Sequence, residues 1–254
     1  MRGAILKFRN PSLTLLGIFC LATFWICVPI QGQTVTVTGI AEVTKSGSQK
    51  APPSSADVAV WLTPVADGQS ASITPASLPK RKFTLVQKNK TFEPHLLVVP
   101  AGSAVDFPNK DPFFHNVFSL YDGKRFDLGL YEAGTSKSLR FDRPGISFLF
   151  CNIHSEMSAV VIALDTPYYG VSNRLGKISI ADVPAGKYVV HVWREGSSPE
   201  SLKALSKQII VSNDSSSLGK LSIPDNAGLP VAHKNKYGKD YENPTPAGAV
   251  YNQP

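Results

Sequence analysis

The sequence predicts an all-β protein built of Greek-key sandwiches or barrels, and two observations carry that reading. From Thr34 onward, short alternating or wholly apolar runs are separated by Gly, Pro, Asn and Asp, and no sustained helical period interrupts them. The runs also follow one another with turn chemistry between them, which suits antiparallel sandwiches and not the helical crossovers of a parallel α/β sheet. At 254 residues the chain has room for one or two domains, each large enough for its own core.

Taken in order, the expected strands are Thr34 to Ile40, Asp57 to Leu62, Phe83 to Gln87, His95 to Val99, Ala104 to Phe107, His115 to Leu120 and Lys137 to Phe141. Ser147 to Cys151, Ala159 to Leu164, Lys177 to Ile180, Lys187 to Val192 and Gln208 to Val211 follow. Pro199 to Lys207 is the one segment that reads as a helix. Ala66 to Pro79, rich in Ser, Ala and Pro, reads as a linker with a boundary near Lys80. After Ile223 the composition shifts to Pro, Gly, Asn, Lys and Tyr, which predicts a poorly ordered tail over 224–254 that drapes over the domains.

The first 32 residues read as targeting: Arg2, Lys7 and Arg9 precede an acid-free apolar run from Leu13 to Ile30. A cut near Gly32 makes this a signal peptide, and an uncut run is nearly long enough to serve as a membrane anchor. The expected location is periplasmic or otherwise exported, with membrane contact only through an uncleaved N-terminus. Those three cations leave the remainder with a formal charge of +4 out of +7, spread along the chain with no nucleic-acid footprint. The leader also holds Cys20 and Cys27, so Cys151 is the one thiol of the mature chain. A lone thiol in an oxidising compartment is a liability unless a metal occupies it; the alternative is an inert core cysteine.

The segment around it is Cys151-Asn152-Ile153-His154-Ser155-Glu156-Met157, set between the apolar runs Ile146 to Phe150 and Ala159 to Leu164. Spacings of three let a curling loop turn Cys151, His154 and Met157 toward one point, whereas neighbours on an extended chain face opposite ways. Thiolate, imidazole and thioether together suit copper, because Cu(I) favours soft ligands while Cu(II) accepts imidazole. Zinc is a poorer match, since methionine is a weak zinc ligand. Met157 is the only methionine after the initiator, yet it falls six positions from the only mature cysteine. His115 is the candidate fourth ligand: the turn Asn109-Lys110-Asp111-Pro112-Phe113-Phe114 delivers it at a strand start.

These residues resemble the cupredoxin, or blue copper, family. The short Cys-x-x-His-x-x-Met loop is similar to that of amicyanin, a methylamine-utilisation type cupredoxin, where plastocyanin has two more residues before Met. The upstream likeness runs through Ala101 to Phe107, Asn109 and His115-Asn116-Val117, and the resemblance spans Phe83 to Leu164. It implies one copper ion cycling between Cu+ and Cu2+, with His115, Cys151 and His154 equatorial and Met157 axial. It also implies that Asn116 ties the ligand loop to its neighbouring strand, unless Asn116 is simply a polar surface residue. Electrons would pass through the edge of His154, ringed by an apolar patch to which Phe113 and Phe114 contribute, unless those rings are core. Ser155 stands where amicyanin has proline, which removes a constraint on the backbone beside His154.

The flanks resemble a carboxypeptidase regulatory-like, transthyretin-type sandwich, through Val37-Thr38-Gly39, Ala56 to Val60 and Ile178 to Tyr188. The expected organisation is therefore a leader over 1–32, a first sandwich part over 34–79, a copper domain over 80–165, a second sandwich part over 166–223 and the tail. Such an insertion explains why Ala159 to Leu164 is apolar on both faces, although an ordinary inner strand would be too.

The function implied is a one-electron carrier with a redox protein partner such as a dehydrogenase or c-type cytochrome. The basic balance favours an acidic one. Copper storage would use repeated Met or His ligands, which the chain lacks. The alternative reading is a β-sandwich interaction module without an electron-transfer role, either copper-binding or non-metal with an incidental cysteine. His95 reads as a surface residue and His191 as a packing residue. With His233 they are scattered and unpaired, which argues against the second copper centre of a copper enzyme, so the sequence reads as a non-enzyme.

Overall fold

A computed structural model describes residues 33–45, 54–65, 82–120, 123–226 and 233–241. The predicted leader with Cys20 and Cys27, the linker from Ala66 to Pro79 and the last residues of the tail lie outside the described residues. Among the described residues no helix is long and apolar enough to cross a membrane.

The chain is all-β, in two layered sandwiches. The first strands are β1 (Thr34–Lys45), β2 (Ala59–Pro64), β3 (Phe83–Thr84), β4 (Val86–Lys88), β5 (Thr91–Glu93), β6 (Leu96–Pro100), β7 (Ser103–Pro108), β8 (His115–Ser119) and β9 (Phe126–Tyr131). They are followed by β10 (Ser136–Phe141), β11 (Gly145–Phe150), β12 (Ser158–Leu164), β13 (Tyr169–Val171), β14 (Lys177–Pro184) and β15 (Gly186–Trp193). The helix α1 (Pro199–Ala204), β16 (Lys207–Val211) and β17 (Ser217–Asp225) complete the order. Helix α1 stops three residues short of the expected Lys207. Ser198 caps its N-terminus, with the hydroxyl accepting from Ser201 N–H, and Pro199 opens it.

One sandwich sets the sheet β6-β12-β11-β8-β9 against β10-β7-β3. Its core holds Leu85, Val105, Phe107, Phe141, Leu149 and Val161. The other sets β14-β1-β17 against β13-β2-β15-β16, around Val37, Val60, Leu62, Ile180, Val190 and Ile223. Strands from both ends of the chain build it: β1 pairs antiparallel with β14 and parallel with β17, and β2 pairs with β13 and β15.

The middle strand β12 explains its own apolar sequence. Val160, Ile162 and Leu164 pack into the core shared with β1 and β2, while Ala159, Val161 and Ala163 pack into the other. A strand buried on both faces need not alternate, and each large aliphatic side chain so buried contributes about 1.5–3 kcal/mol. Its partner β11 divides the same way. Ile146 and Phe148 lie against the first core, whereas Leu149 and Cys151 belong to the second.

His95, read from sequence as a surface residue, joins strands of the two sandwiches. Its Nδ1 lies 3.1 Å from the carbonyl of Ser158, and its Nε2 lies 2.5 Å from the Glu195 carboxylate just after β15. Both ring nitrogens face acceptors, so the imidazolium is favoured: the Glu195 hydrogen bond raises the His95 pKa, and partial burial offsets only some of that rise. A raised folded pKa stabilises the protein fully below the ordinary imidazole value of about 6.5, and this is lost as pH rises through the folded value. Urea unfolding of wild type and His95→Gln should therefore show a stability gap that is largest in acid and closes in alkali. The pair is half exposed, so the gap should stay within about 1 kcal/mol. A gap that widens with pH would contradict this.

Candidate metal centre

Strand parity places the ligand loop. Leu149 faces the inner core, so Cys151, two residues on, does too, and Met157 shares the parity of Ala159 in the returning strand. The pair Phe150 and Ser158 closes the hairpin register. Beyond it, Cys151 N–H donates to the Met157 carbonyl at 3.3 Å, and Met157 N–H donates to the His154 carbonyl at 3.2 Å. The seven residues thus curl back on themselves, with Cys151 and Met157 fully buried and His154 half-buried at the rim.

His115 opens β8, which lies beside β11 in the same sheet. The turn before it is organised by buried Asn109, whose Nδ2 donates to the Phe113 carbonyl at 2.7 Å and whose Oδ1 accepts from Asp111 N–H at 3.0 Å. His115 and His154 then bring their Nδ1 atoms to 3.8 and 3.6 Å from the Cys151 sulfur. Donor atoms of all three residues lie within 4.8 Å of one another. The two rings stand 4.9 Å apart, and Phe113 packs edge-on against His115 and tilted against His154.

Asp111 holds His115 from behind. Its carboxylate accepts from Asn89 N–H at 2.6 Å and Lys90 N–H at 2.9 Å, and it lies 2.8 Å from His115 Nε2. With Nε2–H committed to a carboxylate, the lone pair of His115 sits on Nδ1, facing the sulfur. Burial pushes the Asp111 carboxyl up, but the Lys90, His115 and Asn89 hydrogen bonds together hold it below its usual value.

The electrostatics suit a cation. Burial pushes the Cys151 thiol up, against backbone N–H groups of Ile153, Asn116 and His154 that favour the thiolate. Burial, and then the neighbouring His115, push His154 down, so its imidazole stays neutral and free to ligate. Two donors about 2.0–2.3 Å from a common ion and 120° apart stand roughly 3.5–4 Å from each other. Both sulfur–nitrogen separations fall in that range, so the residues fit a metal ion.

The remaining expectations divide. Asn116 is fully buried and not a surface residue; its N–H acts on the Cys151 sulfur, but its Nδ2 donates to Asp127 on β9 at 2.7 Å. Phe113 is half-buried and Phe114 is 41% exposed. Neither ring is wholly core. His191 stacks on Trp61 at 5.3 Å, as a packing residue would. Sequence reasoning took Asp111 only as a turn former, although a carboxylate four residues before a candidate ligand was a usable signal. The tail, expected only to drape over the domains, makes specific contacts at the loop: His233 stacks on Phe150, and Tyr241 donates to the Cys151 carbonyl at 2.6 Å.

No protein-family model matches this chain, and no curated protein does. Among solved structures it is similar to a Cu-containing nitrite reductase from Thermus scotoductus SA-01 at 20% identity and a TM-score of 0.33, over 41% of this chain and 28% of that one. It is also similar to a purple cupredoxin from Nitrosopumilus maritimus at 20% identity and 0.30, over 33% of this chain and all of that one. An amicyanin variant in its Cu(I) form matches at 18% identity and 0.32, over 35% of this chain and 88% of that one. The chain thus spans under a third of the nitrite reductase it resembles. The exclusion of enzymatic function is corrected here, because one of these similar structures is itself an enzyme. A histidine inventory describes the chemistry one chain completes by itself, and it does not decide whether that chain serves an enzyme.

A metal held by Cys151 would take it as the thiolate while burial favours the thiol, so binding there would release a proton. Cu(II) affinity, measured by chelator competition, should rise about tenfold per pH unit across the neutral range. An affinity flat in pH would contradict a thiolate ligand.

Proposed function

We propose that this chain is an exported type 1 copper protein that carries single electrons, with copper held by His115, Cys151, His154 and Met157. The observation that carries this reading is the convergence of two imidazole Nδ1 atoms on one buried thiol, with a fully buried methionine in the same core cluster. One soft thiolate, two imidazoles and a thioether serve both oxidation states of copper, and a rigid donor set keeps reorganisation small. Bound copper would supply the one-electron couple; the protein supplies position, dryness and a route outward.

That route is the rim of His154. Its ring is half-buried beside Phe113, its neighbour Ile153 is 40% exposed, and Phe114 is exposed beside His115. An apolar rim around a half-exposed ligand lets a partner approach without displacing charge-bound water. The formal charge of the whole chain favours an acidic redox protein, in the class of a dehydrogenase or c-type cytochrome. The apolar run from Leu13 to Ile30 supports export.

Titration of the metal-free protein with Cu(II) should produce an intense visible thiolate absorption and a narrow copper hyperfine splitting. Cys151→Ser should abolish the colour. Met157→Leu should retain copper with a shifted reduction potential, since the axial ligand tunes it. Persistent blue colour in Cys151→Ser would overturn the assignment.

A further inference from the structure

The segment 233–241 lies against the loop that carries Cys151 and reaches Asp127 on β9, the strand beside the one that carries His115. Tyr241 Oη donates to the Cys151 carbonyl at 2.6 Å, and with its proton so used it accepts from His233 Nδ1 at 3.1 Å. His233 in turn stacks on Phe150, the residue before the ligand cysteine, with centroids 4.1 Å apart and planes at 29°. Lys236 N–H donates to Asn152 Oδ1 at 3.0 Å, one residue after Cys151. Its Nζ lies 2.8 Å from Asp127 Oδ2, while Asp127 Oδ1 accepts from Asn116, the neighbour of His115.

The segment has its own internal order. Asn235 Oδ1 accepts from Tyr237 N–H and Lys239 N–H, and Gly238 N–H donates to the Asn235 carbonyl, closing a turn in which Gly238 takes φ +74°. This turn presents Lys236 on one side while Tyr241 reaches back to the loop.

From these contacts we infer that Tyr241 and Lys236 are positioning residues for the metal centre, strapping the Cys151 loop to the strand that carries His115. The inference rests on the copper reading above for its purpose, though not for its geometry. One hydrogen bond fixes the carbonyl of the ligand cysteine itself. The other closes a chain from Asn152 through Lys236, Asp127 and Asn116 to His115. Polar partners that orient ligands in this way are worth tenfold to a hundredfold in metal affinity in known sites.

The test uses the full chain and three variants. Tyr241→Phe removes the donor but keeps the ring against His233, and Lys236→Gln removes the charge facing Asp127. Tyr188→Phe is the control, because it loses a hydroxyl bonded to the Pro184 carbonyl in the other sandwich. Without metal, the rate of Cys151 alkylation by iodoacetamide is read by peptide-resolved mass spectrometry, which separates it from Cys20 and Cys27. Tyr241→Phe and Lys236→Gln should each accelerate it roughly threefold to tenfold, the factor that one lost hydrogen bond corresponds to. Tyr188→Phe should leave it unchanged. Loaded with copper, Tyr241→Phe should show a shifted reduction potential at an unchanged thermal midpoint. Wild-type alkylation rates, equal acceleration in the control, or an unshifted potential would overturn the inference. A wild-type chain that binds no copper sinks the copper reading instead, and the alkylation rates then decide the strap on their own.

Discussion

The structure depends on a sheet that is buried on both faces. Because β12 sends Val160, Ile162 and Leu164 into one core and Ala159, Val161 and Ala163 into the other, a slip of one residue would exchange the contents of two cores at once. The register of β11 against β12 is therefore held from both sides. The ligand loop is only the continuation of that register: Cys151 follows the parity of Leu149, and Met157 that of Ala159. The second sandwich need not touch a metal to matter for the site. By covering the far face it fixes which way the thiol points.

Charge is handled with similar economy. A thiol without metal is pushed toward its neutral form by burial, and one imidazole is held neutral by burial and by its partner. Behind His115 lies the Asp111 carboxylate, stabilised by two backbone N–H groups and by His115 Nε2. A cation held by the Cys151 thiolate would displace the thiol proton. The carboxylate that orients His115 also adds basicity to it.

Much of this was legible in the chain. The meeting of Cys151 with His154 and His115 could be anticipated from the spacing of the loop and from the turn that precedes His115. Other features were not legible, for physical reasons. Strand β9 is an edge strand with Asp127 and Gly129 inside it, and β17 carries Gly219 beside a register shift against β1, so neither shows clean alternation. Strands β5 and β13 are three residues each, below the length at which a period can be seen. The role of the tail could not be read either. Its contacts join residues 84 to 109 positions apart in the chain, and composition carries no record of such pairings. The histidine count failed for a different reason, since it concerned one chain and was asked to decide a question about function.

The central claim is that donors from two separate strand ends meet on one copper ion, and X-ray absorption at the copper edge of the copper-loaded protein tests it most directly. The account predicts one sulfur at short bonding distance and two imidazole nitrogens, with the sulfur contribution lost in Cys151→Ser and one nitrogen lost in His115→Ala. A spectrum with only oxygen and nitrogen neighbours, or one that His115→Ala leaves intact, would contradict it.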